Sequence, residues 1–398
     1  MSTERLYFES SYQRVFDARV VALTSWRDQP AVVLDRTCFY PEAGGQLGDR
    51  GALGGVLVSD TQVDDDGVVY HVLASAEGGA PERGELTIGA TVRGELDWAR
   101  RRQHMAQHTA QHLLSGALLD RAEAPTASAR LGESALTIDV ARDRIPEAEL
   151  AAAEELANAL IDDDLPVRAW FPDAAELASL KLRRDPKVDA NIRVVAIGDF
   201  DRSPCGGTHC ASTAELGAVR VTGVERYKGM TRVTFMAARR GRLELFRHDQ
   251  VLRQLSVALS CQPTEVPAAL DKLRRAHDEQ GAELTAVRGR LASAVAASFA
   301  GDGAVVATLP SEPELVRAVA AKLTAAGRDA LLYAPDDAGA AMVVLARAPG
   351  SSLDCGALWK QLAARVGGRG GGRADRAEGR LSAPCAWSEL LAELQAGR

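Results

Sequence analysis

Over residues 1–93 the apolar positions fall in short β-branched runs: ARVVAL (18–23), PAVVLDR (30–36), GALGGVLVSDTQV (51–63) and VVYHVLA (68–74). Gly, Asp and Pro clusters separate them. Short strands at regular spacing with such turns predict a small β-barrel. At Asp97 the period changes. DWARRRQHMAQHTAQHLLSGALLD (97–120) is rich in helix formers and free of proline, with Asp97 placed to cap its N-terminus. IPEAELAAAEELANALIDDD (145–164) predicts a second helix and LASLKLRR (177–184) a shorter third. Strand-like runs follow at 191–200, 217–227 and 231–240, so residues 94–242 read as an α+β module.

Residues 243–299 read as a helical connector. LELFRHDQVLRQLSVALS (243–260) is broken by the proline-containing CQPTEVPAAL. Beyond it, Leu273, His277, Gln280, Leu284, Val287, Leu291 and Ala294 recur at steps of three and four, the spacing of a heptad seam. Such a seam pairs either with a second copy of the chain or with a neighbouring helix; a homodimer is expected through this connector or through the C-terminal domain. Residues 300–398 alternate again. Strands are predicted at 303–310, 329–335 and 340–348, and helices at 311–327, 357–368 and 386–397, as in a small α/β domain. Between the last two helices lies GGRGGGRADRAEGR (367–380), which reads as a flexible linker or as a backbone loop approaching a phosphate.

Composition narrows the setting. In 398 residues, 46% are apolar and 25% charged, ordinary for a globular protein of several domains. No apolar run reaches bilayer length, and the charged N-terminus lacks a signal-peptide core, so a cytoplasmic protein with no membrane partner is expected. Six scattered cysteines make no disulfide framework; each is a buried small residue, a metal ligand or a nucleophile. The net charge of −7 means that any RNA must be met by local patches. Candidates are Arg100, Arg101 and Arg102; Lys181, Arg183 and Arg184; and Arg365, Arg369, Arg373, Arg376 and Arg380.

The chemistry concentrates at two places. In SPCGGTHCAS (203–212), Cys205 and His209 flank two glycines and a threonine. In HTAQH, His108 and His112 stand four apart on the first predicted helix, hence on one face, with His104 a further turn back. Taken alone, the helical pair also suits core histidines. Joined to Cys205 and His209, it completes a tetrahedral N/S set that suits one zinc ion per chain. His104 can replace a ligand in this arithmetic, and a Cys–His nucleophile is the other chemistry open to Cys205. Cys210 reads as an apolar filler.

HTAQHLL and CGGTH resemble the editing domain of alanyl-tRNA synthetases and their free-standing relatives, the AlaX proteins. TCFYPEAGGQLGDRG (37–51) is similar to that family's glycine-rich motif, KGMTRVTF (228–235) to the stretch after its metal site, and GGRGGGRADRAEG to the motif of its DHH-associated C-terminal domain. The matches run in family order over nearly the whole chain. The resemblance implies a long-form AlaX protein of α+β multidomain class: glycine-rich β-barrel, zinc-binding editing domain, helical connector and DHH-associated tRNA-binding domain. It implies hydrolysis of mischarged tRNA(Ala), chiefly Ser-tRNA(Ala) and in some cases Gly-tRNA(Ala), without ATP-dependent aminoacylation. His108, His112, Cys205 and His209 then carry over as zinc ligands, and Thr37, Gly44, Gly45 and Gln46 as substrate-facing candidates. Arg365, Arg369, Gly370, Gly371 and Arg373 become candidates for tRNA contact. Ala374 and Glu378 stand where the family has Pro and Gln.

Overall fold

A computed structural model describes residues 3–74, 86–133, 135–186, 188 and 190–396. The last residue of the predicted terminal helix, Gly397, lies outside them. The chain divides into two compact units, Met1–Leu252 and Arg253–Arg398.

The first unit opens with a closed six-stranded barrel. Its strands follow the order Val15–Trp26, Gln29–Leu34, Val69–Leu73, Val56–Val63, Gly51–Leu53, Thr91–Leu96, which pairs back to the first. Inward positions at alternate residues fill it: Phe16, Ala18 and Val20 from one strand, Val92 and Leu96 from another, around Leu34, Phe39 and Leu53. Helix α1 (Trp98–Ala122) leaves the barrel, its first turn capped by Asp97, which accepts from the Arg100 N–H at 3.1 Å. Glu123 ends it in the left-handed region at φ 45°. Residues 104–118 of α1 are all buried. Met105, Leu113, Leu114 and Leu118 pack into a core with Ile138, Val233 and Phe235 from a four-stranded antiparallel sheet and with Ala153, Ala157 and Ile161 of helix α2 (Glu147–Asp162).

That sheet runs Val219–Tyr227, Met230–Ala237, Leu136–Val140, Thr126–Leu131. A smaller antiparallel sheet runs Val167–Trp170, Val194–Ile197, Asp201–Pro204. The short third helix, α3, spans Ala174–Ser179, not 177–184. Asp173 caps it, accepting from the Glu176 N–H at 2.8 Å, and this cap fixes the start three residues earlier than apolar spacing suggested. Helix α4 spans Ala238–Leu259.

In the second unit, helix α5 spans Val266–Ser298. A five-stranded sheet runs Val305–Thr308, Ala330–Pro335, Ala341–Ala346, Arg376–Leu381, Gly368–Gly372. The alternation of its strands is clean. Leu331, Tyr333, Val343 and Leu345 face helices α7 (Cys355–Val366) and α8 (Trp387–Ala396). Ala330, Leu332, Ala334 and Val344 face α6 (Pro313–Ala325). The glycine–arginine stretch is ordered strand rather than a flexible linker. It is the edge hairpin of this sheet, Gly370 opposite Gly379. Glycine is needed at that crossing: a Cβ on Gly379 would sit 2.1 Å from the Trp359 ring.

Candidate metal centre and adjoining cavity

His108 and His112 project from successive turns of α1 towards the loop that follows the Asp201–Pro204 strand, where Cys205 and His209 stand. Their ligand atoms all lie within 4.8 Å of one another. Cys205 Sγ is 3.5 Å from His108 Nε2 and 3.4 Å from His209 Nε2. The loop closes this tightly because residue 207 has no side chain; a Cβ there would sit 2.2 Å from His108 Cε1.

Hydrogen bonds fix the imidazole tautomers. Gln46 Oε1 accepts from the Thr208 N–H at 3.2 Å, so that atom is the amide oxygen, and His108 Nδ1, 2.8 Å away, must donate to it. Thr109 Oγ1 donates to the Met105 carbonyl and accepts from the Cys210 N–H, so His209 Nδ1, 3.1 Å off, also donates. His112 Nδ1 lies 3.5 Å from the Asp201 carboxylate, an ion-pair distance at the outer edge of hydrogen bonding. His108 and His209 therefore turn a free Nε2 lone pair to the cluster, and the Asp201 carboxylate favours the same orientation for His112. This is how metal-binding histidines are held by their outer partners.

Burial pushes the Cys205 thiol up, but positive charge on the surrounding imidazoles outweighs it and holds the thiol well below its usual range. Burial pushes His112 down, but Cys205 and Asp201 more than offset this and raise it. Burial, reinforced by His108, pushes His209 down to about 3. The thiolate and the three imidazole nitrogens are a donor set for a soft-to-borderline divalent cation, whose binding releases a proton from the cluster.

A cavity of about 1060 Å³ opens on one edge of this cluster. His108, Cys205, Gly206 and Gly207 border it on one side, and Tyr40, Ala43 and Gly44 on another. Tyr7, Phe8 and the half-exposed Phe171 bring aromatic surface, and Arg5, Arg184 and Arg193 bring charge. His112 and His209 stand behind the rim. Gly44 (φ 60°) and Gly45 (φ 89°) form the turn beside it.

The other predicted residues separate. Gln46 is fully buried, its amide engaged by His108 and Thr208, so it positions a cluster histidine. The Thr37 hydroxyl lies inside the barrel, accepting from the Phe39 N–H at 3.0 Å and donating to His71 Nε2 at 2.8 Å. It is not among the cavity-lining residues. His104 is outside the cluster. Cys210 is a buried core residue whose thiol burial raises to about 12.

Of the basic patches, Arg101 is wholly buried in an ion pair with Asp49 through Nε and Nη2; Nη2 also donates to the Cys38 carbonyl and Nη1 to that of Ser11. It is a structural cation rather than a surface one. Arg183 donates to Asp201 at 2.6 Å, behind His112. Arg369 and Arg373 are exposed on the edge hairpin or its turn, whereas Arg365 pairs with Glu393 and Arg380 with Asp336. Sequence reading missed Asp201, Thr109 and Arg193. Arg193 donates to the carbonyls of Cys205 and Gly207 and so clamps the loop. Thr109 sits inside the quoted HTAQH motif, so its position could have been noticed. Asp201 and Arg193 lie in runs with no distinguishing spacing.

Comparison with known proteins bears on the same residues. The model of the "Threonyl and Alanyl tRNA synthetase second additional domain" matches residues 192–234, and that of "tRNA synthetases class II (A)" matches residues 10–100. The chain is 34% identical to the alanyl-tRNA editing protein AlaX-L of Pyrococcus horikoshii over 281 residues, 68% of this chain and 66% of that protein. It is 32% identical to the alanine–tRNA ligase of Halorubrum lacusprofundi over 396 residues, 95% of this chain and 42% of the ligase. The ligase of Thermococcus kodakarensis gives 31% over 416 residues, 99% of this chain and 43% of the ligase. The chain thus spans about two fifths of the length of the ligases it matches. From the closed barrel to the His/Cys cluster, and across all of these relatives, the chain has the architecture of an AlaX-like alanyl-tRNA editing domain.

Proposed function

We propose that the protein is a trans-editing hydrolase that deacylates mischarged tRNA(Ala), chiefly Ser-tRNA(Ala) and also Gly-tRNA(Ala). The observation that carries the reading is the pre-oriented His108–His112–Cys205–His209 cluster at the edge of a cavity large enough for an aminoacylated terminal nucleoside. In the reaction a water oxygen adds to the ester carbonyl carbon and the carbon–oxygen bond to the ribose breaks. The water's proton passes to the ribose oxygen, giving a free amino acid and an uncharged tRNA end. The need for such a step has a physical basis. A pocket shaped for alanine rejects an added hydroxyl or a missing methyl weakly, and a second, hydrolytic site restores the discrimination.

His108, His112, Cys205 and His209 would hold one zinc ion per chain. Zinc there would either fix the pocket or act as a Lewis acid near the ester, and the four-ligand set favours the first role. His108 and Cys205 present the cluster to the cavity, Gln46 and Thr109 hold the ring orientations, and Arg193 keeps the loop closed. Phe8 and Phe171 offer flat apolar surface to the terminal adenine. His209→Ala tests that ligand: retained metal with full hydrolysis excludes His209 as an essential group.

The same reading makes the chain a long-form AlaX protein. Its second unit, carrying the Arg369/Arg373 hairpin, is a DHH-associated domain that adds tRNA affinity and no chemistry. It acts in the cytoplasm in support of translation fidelity, and does not activate alanine with ATP; among the described residues no helix is long and apolar enough to cross a membrane. Two chains pair through α5, whose seam residues Leu273, Leu284, Val287 and Leu291 are exposed. Light scattering reads this directly, with a dimer mass expected and a monomer mass opposed to it. Because the matching family model covers threonyl as well as alanyl synthetases, tRNA identity needs its own test. Serine-charged tRNA(Ala) should be hydrolysed by protein holding one zinc per chain, and serine-charged tRNA(Thr) spared. The reverse preference would assign the site to threonine tRNA.

A further inference from the structure

A second hollow, of about 590 Å³, lies in the first unit and shares no lining residue with the cavity at the cluster. The first turns of α1 and α4 build its sides, with Arg100 and Arg102 from one and Arg239, Arg240 and Arg242 from the other. Five arginines face two carboxylates, Glu133 and Glu215, in a chain of net charge −7. Both carboxylates already have partners. Glu133 pairs with Arg50 and Arg100, and Glu215 accepts from the Tyr12 hydroxyl and the Ala211 N–H. Among the described residues no carboxylate pairs with Arg102, Arg239 or Arg242, and all three are exposed.

Guanidinium groups gathered around a hollow, beside the first turns of two helices, suit an oxygen-rich anion. Guanidinium groups match phosphate oxygens two at a time. The volume exceeds that of a lone phosphate and suits a stretch of sugar–phosphate chain.

We propose that this hollow is a second binding site, separate from the hydrolytic cavity, that grips the phosphodiester backbone of RNA, with Arg102, Arg239 and Arg242 touching the phosphates. This rests on the reading that the protein works on tRNA. It accounts for a polyanion being held by an acidic protein, since the cationic field is local.

The test compares two triple variants of the full chain. R102A/R239A/R242A removes the exposed arginines of the hollow, and R19A/R27A/R93A removes three exposed barrel arginines that do not line it. Binding of uncharged tRNA(Ala) is measured across a salt series, beside hydrolysis of a short seryl-charged acceptor-end oligonucleotide and metal content. The hollow variant is expected to bind tRNA at least tenfold more weakly. The slope of log affinity against log salt should shrink by about 1 for each phosphate that the variant no longer neutralises. The short substrate should be hydrolysed as before, and the barrel variant should bind tRNA normally. Unchanged tRNA affinity in the hollow variant, or equal weakening in both variants, overturns the proposal. A wild-type protein that binds tRNA but hydrolyses neither substrate overturns the editing function instead and leaves the binding comparison intact.

Discussion

Gln46 illustrates how the centre is held by a buried residue outside the cavity lining. Its amide oxygen fixes the His108 tautomer and its nitrogen donates to Thr208. Gln46→Ala should therefore lower metal affinity about 10- to 100-fold while the protein stays folded. Competition against a chelator of known affinity measures it, and unchanged affinity would remove Gln46 from its positioning role. Within the barrel, His71 donates to the Val32 carbonyl and accepts from Thr37, and burial pushes its pKa down to about 4. The unfolded chain, with an ordinary imidazole, takes up this proton first as pH falls. Stability from His71 is complete above about pH 6.5 and declines towards pH 4, a loss of about 2 kcal/mol between pH 7 and 5. Urea unfolding at the two pH values should show that slope, and His71→Gln should flatten part of it; His104, also lowered to about 4 by burial, contributes in the same window. The four cluster residues were legible in the sequence because an i, i+4 pair shares a helix face whatever surrounds it. Asp201 and Arg193 were not, since their partners lie far away in sequence and only the fold brings them together. Arg101 was misread for the same reason: nothing local marks an arginine whose carboxylate, Asp49, comes from the barrel.

At the scale of elements, long periodic segments were read well and short ones poorly. α1, α2, α6 and α7 follow their apolar period, and the central strands of the second unit are continuous apolar runs buried on both faces. The strands Thr126–Leu131 and Leu136–Val140 escaped. TASARL is polar on one side and exposed at the sheet edge, so its alternation is weak. In the glycine-rich hairpin the flexible-linker reading failed. Glycine there does not loosen the chain; it lets two strands and the Trp359 ring approach closely. Gly370→Ala would place a Cβ 2.4 Å from the Gly379 Cα and 2.5 Å from the Glu378 carbonyl. Overpacking against backbone should cost about 1–3 kcal/mol of the second unit's stability. Thermal unfolding checks this, and an unshifted transition would mean that the hairpin yields.

For the whole molecule, the proposed function puts chemistry in Met1–Leu252 and added RNA affinity in Arg253–Arg398. A chain ending after α4 should then show a raised KM for full-length charged tRNA with a smaller fall in kcat. A collapsed kcat with unchanged tRNA binding would place part of the chemistry in the second unit. The central claim, however, is that the centre hydrolyses a wrong ester and spares the right one. The most direct measurement is deacylation of serine-charged tRNA(Ala) beside the alanine-charged form, with His108→Ala and His112→Ala as controls. Rapid release of serine, retention of alanine and inactive variants are the predicted results. Serine left esterified by zinc-loaded, tRNA-binding protein would contradict the editing function and leave a binding module in its place.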